Sequence, residues 1–167
     1  MDGKEQRVKC YIDSREKPQA IKNIVAYFDK HGIEWERVAL KTGDYMLDGQ
    51  PNLIVDRKQS LGELAHNLLS PDRARFYREI RRARDSGIRL IILCEHSPDV
   101  KTFADVKNWK PKYGKVTGKA LADAIFRLEV GYGVPVYYCC KRSTGKRIVE
   151  ILSQEGEDGS VNQVCSN

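Results

Sequence analysis

Apolar positions along this chain follow two periods, and the period changes segment by segment. Residues 7–13 (Arg-Val-Lys-Cys-Tyr-Ile-Asp) read as a strand ending in an acid. From Pro18 onward, Ile21, Ile24, Val25 and Phe28 fall at helical spacing, and Lys30-His31-Gly32 closes that helix with basic residues and then glycine. Strands are predicted over 34–40 and 44–47. The turn Asp48-Gly49-Gln50-Pro51 joins the second of these to a partner strand over 52–58. Ser60 and Glu63 form a capping box for a helix whose apolar face is Leu61, Leu64, Leu68 and Leu69, and Ser70-Pro71 ends it. A second helix is predicted over 72–86, with Phe76, Ile80 and Ala83 as its buried stripe. Residues 88–95 are continuously apolar, as in a strand covered on both faces, and Ser97-Pro98 reads as a breaker. A short helix over 102–109, a Lys- and Gly-containing loop over 110–118 and an amphipathic helix over 119–130 follow, the last ended by Gly131-Tyr132-Gly133. A strand over 134–140 and a helix over 144–153, capped by Ser143 or Thr144, complete the pattern.

This order predicts an α/β protein, a mixed central sheet flanked by helices, as a single domain over 1–153. Residues 154–167 show no periodicity and are expected to be a disordered acidic tail. A chain of 167 residues can bury a core without staples. No apolar run approaches the roughly 20 residues of a membrane span, and the polar start lacks a signal-peptide core. A cytoplasmic or intracellular, DNA-associated protein is the expectation.

The net charge is +6, and residues 154–167 hold Glu155, Glu157 and Asp158 but no Lys or Arg. The basic excess therefore lies in the folded part and favours a polyanionic partner. Cys10, Cys94, Cys139 and Cys140 lie in apolar runs and read as reduced core thiols. With no C-x-x-C, and with His31, His66 and His96 outside zinc spacing, a zinc site is not expected.

The chemistry concentrates in Gly43-Asp44-Tyr45 and Val55-Asp56-Arg57-Lys58. Asp44 belongs at a strand end, and Asp56 and Lys58 are two apart on the next strand, hence on one face. Asp56 follows Leu53-Ile54-Val55, where a carboxylate is expensive unless paired or metal-bound. Two carboxylates suit a hard divalent cation such as Mg²⁺, and a neighbouring lysine can position water and offset phosphate charge. A surface ion cluster on the hairpin is the plainer reading. Asp13-Ser14-Arg15-Glu16 falls at a strand-to-helix edge, where ligand sites gather, or is simply a solvated loop. Glu95 and His96 close an apolar strand and read as ordinary strand-end residues.

The helix over 72–86 carries Arg75, Arg78 and Arg82 on one face. That face is either solvated and internally ion-paired or a phosphate-contacting stripe. Lys107, Lys110, Lys112, Lys115 and Lys119 form a second basic run, with Trp109 and Tyr113 interleaved, a mixture suited to unpaired bases. Trp109 suits a core anchor equally well. Thr144-Gly145-Lys146-Arg147 opens a helix whose amides suit a phosphate. No full P-loop is present, which argues against NTP hydrolysis.

On Gly43-Asp44, Asp56-Arg57-Lys58 and Asp13-x-Arg15-Glu16, the chain resembles the nuclease domain of the XPF/Mus family of structure-specific endonucleases, most of all its short stand-alone bacterial and phage versions. Asp56 stands where that family usually has Glu. The resemblance implies a restriction-endonuclease-like core in which Asp44, Asp56 and Glu16 bind Mg²⁺ or Mn²⁺ and Lys58 aligns the water. It further implies that Arg57 and Arg15 support the site or touch phosphate, and that Asp13 is an auxiliary acid. Arg75, Arg78, Arg82, Lys112 and Lys115 are the candidate nucleic-acid contacts. Two departures stand out: Gly62 occupies the place of a family Asp, with Glu63 one step later, and no tandem helix-hairpin-helix domain follows. The expected partner is DNA with branches, forks, flaps or single-strand/duplex junctions. A homodimer or partner subunit is also implied, through apolar faces at 121–130 and 148–152. A metal-dependent endodeoxyribonuclease is the leading expectation. A catalytically silent DNA-binding or inhibitory module and a sequence-specific restriction-type nuclease are the alternatives. Pathway, strand and cut structure stay open, DNA repair and recombination among the possibilities.

Overall fold

The computed structural model describes residues 7–96 and 99–154. Gln154, expected to open the disordered tail, instead ends the last helix; the rest of the tail expectation, Cys165 and the Ser97-Pro98 breaker lie outside the described residues. In chain order the elements are β1 (Lys9–Asp13), α1 (Lys22–Lys30), β2 (Glu34–Val38), β3 (Tyr45–Leu47), β4 (Leu53–Lys58), α2 (Leu61–Leu69), α3 (Arg73–Asp85), β5 (Arg89–His96), α4 (Phe103–Val106), α5 (Gly118–Tyr132), β6 (Val136–Cys140) and α6 (Thr144–Gln154). A 3₁₀ turn at Lys141–Ser143 precedes α6. The strands form one sheet in the order β2-β1-β3-β4-β5-β6. β3 runs antiparallel to β1 and β4, while the β1–β2, β4–β5 and β5–β6 pairs are parallel. This is the expected mixed α/β sheet.

Alternation along β4 divides the molecule into two cores. Ile54 faces α2, α3 and α5, packing with Leu64, Leu68, Phe76, Ile80, Leu121 and Ile125. Leu53 and Val55 face α1 and α6, packing with Ile24, Phe28, Ile148, Ile151 and Leu152. The same alternation continues into the polar end of the strand. It sends Asp56 and Lys58 to the α2/α3 side and Arg57 to the α1/α6 side.

Several predicted boundaries shift for local reasons. The helix expected from Pro18 begins only at Lys22, because Ala20 and Ile21 donate to the Lys17 carbonyl in a tight turn. β2 stops at Val38 because β1 ends opposite it at Asp13, and the Leu40 amide turns to the Asp13 carboxylate instead of a ladder. The helix over 102–109 shortens to Phe103–Val106, its chain closing in turns at Asn108 and Trp109. α5 starts one residue early on a Thr117 cap and runs through Gly131 to a left-handed Gly133. The expected Thr144 cap of α6 is not made: its hydroxyl donates to Glu95.

The apolar faces expected to meet a second copy are largely spent inside the chain. Ile148, Ile151 and Leu152 are buried against α1, and Leu121, Ile125 and Leu128 in the other core. Phe126 and Val130, one turn apart on α5, remain exposed. Among the described residues, no helix is long and apolar enough to cross a membrane.

Candidate active site

The C-terminal ends of β1, β4 and β5 and the start of β3 meet at one edge of the sheet. Gly43 makes the approach to β3 possible. Its φ is +67°, and a Cβ there would run into Ile54 Cγ2 of the neighbouring strand. This close approach lets the Asp44 backbone bridge two strands. Its amide donates to the Val55 carbonyl at 2.9 Å, and its carbonyl accepts from the Asp13 amide at 2.8 Å. The Asp44 carboxylate is fixed as well, Oδ2 accepting from the Arg57 amide at 2.8 Å.

Asp44, Asp56 and Lys58 come together as the spacing predicted. Lys58 Nζ is 3.0 Å from Asp56 Oδ1, both side chains mostly buried, and it lies 4.9 Å from the centre of the Phe76 ring. Burial pushes the Asp44 carboxyl well above the usual carboxylate range, and the negative charges of Asp56 and Glu16 push it further. Burial pulls the Lys58 ammonium down, but attraction to Asp56, helped by Asp44 and Glu63, more than offsets it, and the net shift is upward. Lys58 thus carries its charge at the Asp56 carboxylate. Glu63, the acid nearest the Gly62 departure, spends Oε2 on the Gln59 amide at 2.7 Å while its charge still reaches Lys58.

Glu16 is placed differently from the expectation. Arg57 grips it with two parallel bonds, Nε to Oε1 at 2.7 Å and a terminal nitrogen to Oε2 at 2.8 Å, and Tyr45 donates to it at 3.0 Å. The other terminal nitrogen of Arg57 reaches Glu95 at 3.1 Å, and Glu95 also accepts from Thr144 at 2.9 Å. This network is buried on the α1/α6 face. Glu16 is therefore not part of an open ligand cluster, although its charge contributes to the upward shift of Asp44. Asp13 is buried too, and held by Arg15 at 2.6 Å and the Leu40 amide at 3.0 Å.

The donors that remain, Asp44 and Asp56, are oxygen ligands without His or Cys. Among the described residues no group of three or more His, Cys, Asp or Glu is disposed to hold a metal ion. Two carboxylates, completed by water and phosphate oxygens, fit Mg²⁺ or Mn²⁺ and not a protein cage for Ca²⁺ or Zn²⁺.

Two clefts lie beside Lys58 and Asp56, one bordered by each. One, of about 730 Å³, is bordered by Lys58, Arg75, Phe76, Arg78 and Glu79. A smaller one, of about 100 Å³, is bordered by Arg15, Lys41, Asp56, Glu79 and Arg82. α3 thereby brings Arg75, Arg78 and Arg82 to the site from one side. Glu79, not singled out from the sequence, borders both clefts and lies 3.5 Å from Arg75. Its i+4 spacing from Arg75 and i−3 spacing from Arg82 were the available signal. Lys112 borders a third cleft, with Trp109 and Tyr113, beyond the N-terminus of α2, and Lys115 is exposed on the same loop. The α6 start offers no phosphate site: Thr144 is buried, and Gly145 packs against Tyr27 and Ile24. Cys10 and Cys94 are inert core thiols, burial pushing Cys10 up to about 12.

The ERCC4 domain family matches residues 12–152 of the chain. No curated protein matches it in sequence. Among solved structures, XPF from Aeropyrum pernix aligns with a TM-score of 0.66 at 20% identity, over 89% of this chain and 65% of that one. XPF from Aeropyrum pernix in complex with DNA aligns with a TM-score of 0.64 at 19% identity, over 88% and 64%. At these identities the likeness is one of fold. The chain spans just under two thirds of the length of those proteins.

Proposed function

Because the chain belongs to the ERCC4-domain family of XPF/Mus nucleases, we propose that it is a metal-dependent endonuclease that hydrolyses phosphodiester bonds in branched, forked or flapped DNA. The observation that carries this reading is the convergence of Asp44, Asp56 and a charged Lys58 beside a helix that presents three arginines to the same clefts. The structure of one XPF with DNA supports the choice of polymer.

Asp44 and Asp56 would hold the Mg²⁺ or Mn²⁺ ion. When bound, such an ion polarises the scissile phosphate and makes a water nucleophilic at neutral pH. Lys58, held by Asp56 and backed by Phe76, offsets the charge that builds on the phosphate oxygens as water adds and one P–O bond breaks. The Arg57 amide keeps Asp44 aimed at this point, and the Arg57 side chain ties Glu16 to Glu95 behind it. Arg75, Arg78 and Arg82 supply phosphate contacts that position the duplex without reading its sequence.

The test is cleavage of labelled flap, fork, Holliday-junction and plain duplex DNA with Mg²⁺, with Mn²⁺ and with chelator. Metal-dependent cutting confined to the branched substrates is expected. A defined cut in linear duplex would point to a restriction-type enzyme. Binding without cutting under every condition would point to a silent module.

A further inference from the structure

We propose that the cleft between the N-terminus of α2 and the 109–113 loop receives an unpaired nucleotide of the substrate, while the duplex lies over α3. This rests on the nuclease reading and adds to it a side for the unpaired strand.

The cleft measures about 490 Å³, within the roughly 300–1,000 Å³ of ligand clefts. Its chemistry differs from that of the clefts beside α3. There the borders are arginines and acids, and the Phe76 ring is buried beneath Lys58. Here Tyr113, 81% exposed, stands at the border with the Lys112 ammonium 5.7 Å from its ring centre. Trp109 packs against the core and forms a fixed apolar wall. Lys110, Lys112 and Lys141 bring three cations to the rim. The acid in the lining, Glu95, is committed to Arg57 and Thr144. An exposed ring that serves no packing role, set among cations, matches a base face and its phosphate, which neither an acidic peptide nor duplex backbone would use together.

Position supports the same reading. Gln59 and Ser60, which directly follow Lys58, line this cleft, whereas His66, Asn67 and Ser70 line the arginine cleft. The two clefts thus lie toward opposite ends of α2, and Lys58, which borders the arginine cleft, directly precedes the residues that line the aromatic one. Gly62 borders the aromatic cleft without a side chain.

Binding to a fork with 2-aminopurine in its unpaired arm, to oligo-dT and to blunt duplex would be measured in chelator. Tyr113→Ala is expected to weaken binding of the unpaired arm and of oligo-dT roughly tenfold, to abolish the quenching of 2-aminopurine, and to leave blunt duplex unchanged. Gly62→Asp provides a charge test. A Cβ there meets only Ser60 Oγ, at 3.5 Å, and an acid in the first turn favours the helix. Thermal stability should hold or rise while affinity for the unpaired arm falls. Wild-type affinities in both variants, or equal losses on duplex and single strand, would each overturn the proposal. No cleavage is needed, so a failure of the nuclease reading would appear separately, as a protein that shows these binding differences and cuts nothing.

Discussion

At the scale of single residues, the site is two ionic systems back to back on one strand. Arg57 is the structural half. Its partners Glu16 and Glu95 are buried, so Arg57→Ala leaves two carboxylates without their cation and is expected to cost about 3–5 kcal/mol. A urea midpoint lowered at unchanged slope would show it, and a loss below ~1 kcal/mol would contradict it. Arg57→Lys should recover little, because an ammonium cannot make the paired bonds of the guanidinium fork. Asp44 is the chemical half. Its folded pKa is raised, so the native state holds a proton longer than the unfolded chain. Stability without metal therefore falls as pH climbs from the ordinary Asp value of ~3.9 through the raised one. Asp44→Asn keeps the acceptor for the Arg57 amide and removes this penalty. It should raise the metal-free melting temperature at neutral pH. In wild type, the melting-temperature gain from Mn²⁺ should grow with pH, because the ion needs the ionised pair. In Asp44→Asn the gain should vanish, and an equal gain in both proteins would place the ion elsewhere.

At the scale of elements, legibility depended on whether partners are near in sequence. The face shared by Asp56 and Lys58 follows from a two-residue spacing on a strand, and the Ser60–Glu63 start of α2 from a local capping pattern. The Glu16–Arg57–Glu95 network joins residues 41 and 38 positions apart, on a face that only the packed sheet defines, so the same residues read as a metal ligand and a phosphate contact. α3 lay between these cases. Its arginine stripe was visible as periodicity, but its aim at the clefts beside Lys58 required the packing of Phe76 and Ile80. Arg75, Arg78 and Arg82 changed together to Ala should weaken duplex binding at every sequence. The plot of log affinity against log salt should become shallower by about 0.9 for each phosphate that is no longer neutralised. An unchanged slope would return the helix to a solvated role. α5 offers a test of backbone packing. A side chain at Gly118 would collide with the carbonyl oxygens of Val106, Lys107 and Trp109. Gly118→Ala should therefore destabilise the fold despite the better helix propensity of alanine, and loosen the wall that holds Trp109. A melting temperature equal to or above that of wild type would contradict this.

At the scale of the whole molecule, the sheet collects strand ends from both of its directions along a single edge, with acids at its centre and cations on both flanks. Hydrophobic periodicity was enough to anticipate the order of elements and the mixed sheet. It was not enough to anticipate that the apolar stripe of α6 would be consumed by α1. The same edge carries the Arg57 network that holds the strands, the carboxylates that would hold an ion, and the clefts that would hold DNA. The direct test of this arrangement is single-turnover cleavage of a labelled fork in Mg²⁺ by wild type and by Asp44→Asn, with binding of the same fork measured in chelator. The account predicts metal-dependent cutting by wild type, a loss of roughly a hundredfold or more in the variant, and unchanged binding. Equal cutting by both proteins would contradict it.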